Sequence, residues 1–306
     1  MVEIVAEGRS LVKKYGDKTV VDGIHFQIKR GECFGFLGPN GAGKTSTMKM
    51  MYCLSPVTSG ELFVLNLDVN TRGREIKSRI GVVPQEDGLD TDFTVLENLT
   101  IYASYHNLLA DVAEKRAREL LRFMRIDEKS TSPVDQLSGG MKRRLAIARG
   151  MINNPEMLFL DEPTTGLDPQ ARLLIWDNLR ALKKEGMSMA LTTHYMEEAE
   201  QICDRLVIMD HGRFLCEGKP SDLITEHIGR EVVEFSCEDK DINYFVERVK
   251  NKYDYQVIRN RFHLFIKANQ DGKQAVASIS SSDVTVRKAT LEDVFLKVAG
   301  HDLRDE

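Results

Sequence analysis

The chain has 306 residues and a mass of 34.7 kDa, enough for about two domains at roughly 150 residues each. Hydrophobic residues at 42% and charged residues at 29% exclude a disordered chain, a collagen-like repeat and a disulfide-stapled miniature. With 42 Lys and Arg against 47 Asp and Glu, the net charge of -5 gives no general attraction to nucleic acid or anionic lipid.

The N-terminal stretch Met1–Glu7 has neither the basic flank nor the apolar region of a signal peptide. Thr19–Val21 and His25–Ile28 alternate as short strands, and Glu32–Leu37 is an apolar run of buried-strand length. That run stops at the glycine-rich loop Gly38–Gly43, and a helix is predicted from about Lys44 to Leu54. Residues of about 92–126 read as helical, with Ala113, Ala117, Leu120 and Met124 lining one face. A polar loop, Lys129–Gln136, interrupts the pattern. Met141, Leu145, Ala148 and Ile152 restart it, and Asn153-Asn154-Pro155 stops it. Met157–Leu160 is a strand, Gln170–Lys184 an amphipathic helix, Ser188–Thr192 and Leu206–Met209 buried strands, and Met196–Cys203 a polar helix between them. This alternation predicts an α/β core with a largely parallel sheet.

After about Arg230 the pattern changes. Strands are predicted at Glu231–Cys237, Tyr255–Ile258, Phe262–Lys267 and Val284–Arg287, and helices at Asp241–Asn251, Lys273–Ser280 and Leu291–Val298. The order β-α-β-β-α-β predicts a small α+β, ferredoxin-like extension. No apolar run approaches the roughly 20 residues that cross a bilayer. Cys33, Cys53, Cys203, Cys216 and Cys237 have no C-x-x-C spacing and read as reduced thiols of a cytosolic protein.

Gly38-Pro39-Asn40-Gly41-Ala42-Gly43-Lys44-Thr45 fits G-x-x-x-x-G-K-[ST]. Glycines let the backbone wrap so that successive N–H groups point at phosphate oxygens, and the following helix adds its positive end. Lys44 can bridge β- and γ-phosphates, and the Thr45 hydroxyl can ligate Mg²⁺. The strand Met157–Leu160 delivers Asp161 and Glu162 at its C-terminal end, where α/β sheets hold ligands. Asp161 would hold Mg²⁺ and Glu162 would polarise or deprotonate a water. Leu137-Ser138-Gly139-Gly140 precedes a helix. It reads either as a plain N-cap or as a second phosphate-binding surface, serving the nucleotide of another copy.

These motifs, in this order, resemble the ATP-binding cassette (ABC) ATPase family over about residues 4–225. The resemblance implies a P-loop NTPase cassette of about 1–228, with an inserted helical subdomain at about 86–155. The extension at 229–306 would be regulatory or would widen a dimer contact. Tyr15 looks like the aromatic that stacks on adenine. Ser46 belongs to the nucleotide-binding loop, and Gln85, in Val83-Pro84-Gln85, looks like the Q-loop glutamine that reaches Mg²⁺ and water. Asp168, in Gly166-Leu167-Asp168, resembles the D-loop aspartate, and His194, in Thr192-Thr193-His194, the switch histidine. The implied cofactors are ATP and Mg²⁺. The implied partners are a second copy and separate membrane-spanning permease subunits, with no nucleic acid, at the inner face of the plasma membrane.

The signature continues with Met141 where the family usually has Gln. With Pro84–Asp90, Phe93–Asn98 and the ending Leu291–Leu296, this resembles the ABC-2-type exporter branch that includes nodulation-factor and daunorubicin-resistance ATPases. A soluble relative acting on translation or DNA is the competing reading. It is disfavoured by the single cassette and the absence of long insertions. Lys142-Arg143-Arg144 reads as a solvated face or phosphate-facing edge. His25, His106, His211, His227, His263 and His301 have no motif context and read as surface or satisfied core residues.

Overall fold

The computed structural model describes residues 3–237, 242–258, 260–267, 270, 272–277 and 283–300. His301, Asp241 and 278–280 of the predicted elements lie outside them. The chain divides into two compact units, 1–215 and 216–306.

The first unit holds two sheets. Strands β1 (Ile4–Tyr15), β2 (Lys18–Lys29), β4 (Ser59–Val64) and β5 (Leu67–Asp68) form one, in the order β2-β1-β4-β5, with antiparallel neighbours. The second has the order β10-β9-β3-β8-β7-β6 and contains β3 (Cys33–Leu37), β6 (Ile80–Val83), β7 (Met157–Asp161), β8 (Ser188–Thr193), β9 (Arg205–Asp210) and β10 (Arg213–Gly218). Strands β6, β7, β8, β3 and β9 are joined by parallel pairs. Every residue of β3, β7 and β8 is buried, which is why these strands read as continuous apolar runs without alternation. Helix α1 (Lys44–Met51) shares one core with both sheets: Met48, Met50 and Met51 join Leu11, Phe26, Leu62, Phe36 and Phe159.

Several elements differ from the sequence pattern. The sequence reads as strands with turns over about 1–90 but sets no bounds for β1, whose alternation Gly8, Arg9 and Ser10 interrupt. The structure puts register shifts there and Ser10 at φ 47°. Helix α2 (Gly73–Arg79), strand β10 and helix α8 (Pro220–His227) were unannounced. The stretch 92–126 is two helices, α3 (Val95–Tyr105) and α4 (Ala110–Phe123). Asn107 at φ 58° leaves the right-handed helical region between them. Helix α3 starts in a capping box in which Thr94 and Glu97 satisfy each other's backbone N–H. Ala113, Ala117, Leu120 and Met124 are all buried. Helix α5 (Gly139–Gly150) ends before the expected Asn153, and α6 (Pro169–Lys184) and α7 (Met196–Ile202) complete the unit.

In the second unit, β11 (Glu231–Ser236), β12 (Asp254–Ile258), β13 (Arg261–Ile266) and β14 (Val284–Lys288) form an antiparallel sheet in the order β12-β13-β11-β14. Helix α9 (Ile242–Val249) connects β11 to β12 with β13 between them, and α10 (Gly272–Ala277) connects β13 to β14 with β11 between them. Val233, Phe235, Phe262, Leu264 and Ile266 share a core with Phe245 and Val249 of α9 and Ala275 of α10. The last helix, α11 (Leu291–Ala299), is tied to the sheet by Arg287. That guanidinium donates to Asp293 at 2.6 and 2.8 Å and to Glu234 at 2.7 Å. Asp293 is buried and also accepts from Thr290, so the partner that neutralises it is also the one that anchors the helix.

Candidate functional site

Strand β3 runs buried into Gly38, and the chain reverses through Asn40 and Gly41 before α1 begins. The glycines answer to steric demands. A Cβ on Gly38 would lie 2.1 Å from the Met209 carbonyl oxygen, and one on Gly43, at φ 103°, would lie 2.4 Å from that of Val20. Pro39 and Ala42 are buried while Asn40 and Gly41 stand exposed at the crest. The loop therefore presents backbone rather than side chains, which is the requirement for holding phosphate.

Lys44 is buried. Its ammonium donates to the Gly38 and Pro39 carbonyls at 2.8 and 2.9 Å and lies 3.7 Å from a Glu162 oxygen. Burial pushes its pKa down, with Glu162 and Asp161 opposing that shift. Thr45 donates to Asp161 at 3.1 Å, and Thr192 donates to the same oxygen. Thr192 carries no motif signal of its own. Strand pairing supplies it, since β7 and β8 put Asp161 opposite Thr192.

Glu162 stands at φ 46°, a left-handed conformation that costs a non-glycine residue about 1–3 kcal/mol. Its backbone N–H donates to the Thr192 carbonyl and hydroxyl, both at 3.1 Å, which holds the turn. One carboxylate oxygen accepts from Thr165 at 3.0 Å and from the Gln85 amide at 3.3 Å. His194 Nδ1 lies 3.3 Å from it without hydrogen-bond alignment. Burial alone would raise this carboxyl, but His194, Lys44 and Thr165 together hold it below the usual range. The structure thus brings Gly38–Thr45, Gln85, Asp161, Glu162 and His194 to one place, at the C-terminal ends of parallel strands. A cation, two carboxylates, an amide and an imidazole converge there beside a backbone cradle, as transfer of a charged phosphoryl group to water requires.

Tyr15, half exposed, sits at the end of β1 with its hydroxyl 3.4 Å from that of Ser55. Ser46 is half-buried on the first turn of α1. The segment 137–140 is set apart from this cluster. Ser138 caps α5 by accepting from Met141 N at 3.3 Å, and Ser138 and Gly139 are exposed while Leu137 and Gly140 are buried. A Cβ on Gly140 would come within 2.7 Å of that of Ala171, so the glycine permits close packing on α6. Asp168, also exposed, caps α6 by accepting from Ala171 N at 2.9 Å.

Arg143 is 4% exposed and Arg144 9%, so neither forms a solvated face. Arg143 donates to the carbonyls of Pro84, Gln85, Asp161, Glu162 and Pro163, and pairs with Asp87 at 3.3 Å. One guanidinium thereby fixes the helix after Ser138 to the Gln85 segment and the Glu162 turn. Glu198, buried on α7, accepts from Thr164 at 2.7 Å and Trp176 at 3.2 Å, and burial raises its pKa. No spacing rule identifies either residue.

The family model for ABC transporters matches residues 21–165. The chain is similar to the "Nod factor export ATP-binding protein I" of Ralstonia nicotianae, at 45% identity over 96% of this chain and 94% of that one. It is 42% identical to the protein of the same name from Paraburkholderia xenovorans, over the full length of both. Among solved structures it resembles a dimeric ATP-binding cassette in a post-hydrolysis state with ADP and Pi, with TM-score 0.64, 28% identity, and 70% of this chain and 98% of that one covered. It also resembles cbiO1 of Clostridium perfringens, part of the ABC transporter complex cbiONQ, with TM-score 0.68, 28% identity, and 81% and 97% covered. A phosphate cradle facing a carboxylate, an amide and an imidazole, and near-full-length relatives at this identity, lead to one conclusion: the chain belongs to the ABC transporter family, as an ATP-binding subunit with ATPase activity.

Proposed function

We propose that this ATPase powers export of a substrate through separate membrane-spanning subunits of the ABC-2 type. Similarity to export ATP-binding proteins that runs the whole length of the chain, second unit included, carries this reading. Export then works through two copies arranged head to tail. Gly38, Pro39, Asn40, Gly41, Ala42, Gly43, Lys44, Thr45 and Ser46 of one copy hold the triphosphate, and Tyr15 stacks on the base. Leu137, Ser138, Gly139, Gly140 and Met141 of the other copy, with its Asp168, close over the γ-phosphate. The exposure of Ser138, Gly139 and Asp168 supports a surface that meets a partner.

Thr45, Gln85 and Asp161 would hold Mg²⁺. Hard oxygen donors suit that ion, and the Thr45 and Asp161 oxygens lie 3.1 Å apart. Bound there, the ion would supply positive charge that offsets the negative charge of the phosphates. Glu162 orients the attacking water and accepts its proton, His194 steadies the γ-phosphate end, and Gln85 reports on the site to the helical region.

The permease docks beside α3, at the inner face of the plasma membrane. A largely apolar cleft of about 370 Å³ lined by Tyr52, Leu54, Pro84, Tyr102 and Arg149 supports this, as does the exposure of nearby Leu54, Phe93 and Tyr105. No helix among the described residues is long and apolar enough to cross a membrane, so the spans belong to the partner. We assign 1–228 to the cassette, 86–155 to its helical subdomain, and 229–306 to a ferredoxin-like extension that widens the dimer contact.

The test is Glu162→Gln. The variant should bind ATP and accumulate as an ATP-dependent dimer in gel filtration; undiminished steady-state hydrolysis would remove Glu162 from its role. Truncation after 228 should weaken that dimer while nucleotide binding persists.

A further inference from the structure

Lys13 is a buried lysine that the proposed mechanism does not use. It is 4% exposed, and among the described residues no carboxylate is paired with it. A buried ammonium without a counter-ion is costly unless other groups solvate it. Two do so here. Lys13 Nζ donates to the Pro56 carbonyl at 2.7 Å, and it lies 4.7 Å from the centroid of the Tyr15 ring. The acceptor is itself fixed, because Thr58 N–H donates to the Val12 carbonyl and the Thr58 hydroxyl accepts from Lys14 N–H. The i, i+2 spacing on β1 sends both side chains to one side of the strand. Lys13 is buried with its ammonium over one face of the ring, while Tyr15 is half exposed.

We propose that Lys13 is a positioning residue for the nucleobase: anchored by Pro56, it fixes the plane of Tyr15 and polarises the ring toward the face it covers, so that the opposite face stacks more strongly on a purine. A cation on one face of an aromatic ring withdraws electron density from the other, which favours an electron-rich partner there. This rests on the reading of Tyr15 as the base platform. The recognised chemistry is the base alone. The triphosphate is held elsewhere, by Lys44 and the backbone of the glycine loop.

The experiment measures displacement of a fluorescent ATP analogue from the full chain by ATP and by inorganic tripolyphosphate, and takes the ratio of the two affinities. Lys13→Met should lower the ratio roughly fivefold, within the range of a desolvated cation–π contact, with tripolyphosphate unmoved. Lys13→Arg should restore it. In a Tyr15→Ala background, Lys13→Met should change it no further. A ratio that survives Tyr15→Ala would overturn the platform reading. A ratio that falls in Tyr15→Ala but not in Lys13→Met would overturn the Lys13 proposal alone. Equal weakening of ATP and tripolyphosphate in Lys13→Met would overturn it too, since that is what a purely structural lysine produces.

Discussion

Lys44, Asp161 and Glu162 are buried and bonded to one another or to shared neighbours, whereas Ser138, Gly139 and Asp168 stand exposed with only local capping bonds. The first group is organised by one chain folding on itself. Its charges are desolvated, so geometry decides their energies, and removing one partner of a buried pair costs about 3–5 kcal/mol. The second group is organised only as far as helix caps require. The difference teaches that the phosphate-loop cluster is organised within one copy, while the Ser138 and Asp168 segments are exposed surface, as the proposed action across two copies needs.

The largest effect that would sharpen this contrast is on turnover. Glu162→Gln should reduce kcat about a thousandfold, because it removes a positioned base; single-turnover phosphate release measures it. Next comes Arg143→Met. Five carbonyls lose their donor, so about 3–5 kcal/mol of stability should go, read from the urea midpoint. A loss below 1 kcal/mol would mean that water replaces the guanidinium and that the two regions are not joined through it.

Ser138→Arg should cost about a hundredfold in ATPase while nucleotide still binds the monomer. Lys44→Ala should be inactive because it does not hold the triphosphate. Mixing these two variants creates heterodimers in which one intact phosphate loop faces one intact Ser138 segment, so hydrolysis should rise above that of either variant alone. Failure of the mixture to recover would break the idea that the exposed half acts across copies.

The smallest effect concerns pH. Burial raises the Glu198 carboxyl above its ordinary range, so its contribution to stability is fully present below the unfolded pKa and declines as pH rises through the folded value. Denaturation midpoints from pH 4 to pH 8 should show that decline, and Glu198→Gln should flatten it.

Part of this protein was determined by the sequence alone. The α/β class, a largely parallel sheet, the glycine loop and the paired acids Asp161 and Glu162 were legible from the residues, while Gln85 and His194 were named by resemblance to the ABC ATPase family. The residue-based readings depend on local rules: apolar runs of buried-strand length, the G-x-x-x-x-G-K-[ST] spacing between a strand and a helix, and acids at a strand end. The βαββαβ order of the second unit was read from the sequence as well, and the described elements follow it. What only the tertiary structure decided is where charged side chains go when their partners are distant in sequence. Arg143 looks like part of a solvated run until carbonyls 18 to 59 residues away are brought around it. Thr192 reaches Asp161 because two strands pair in one register. Lys13 lies over one face of Tyr15 because the Pro56 loop folds against β1. Burial of charge is affordable only where several remote groups converge, and no local pattern encodes that convergence.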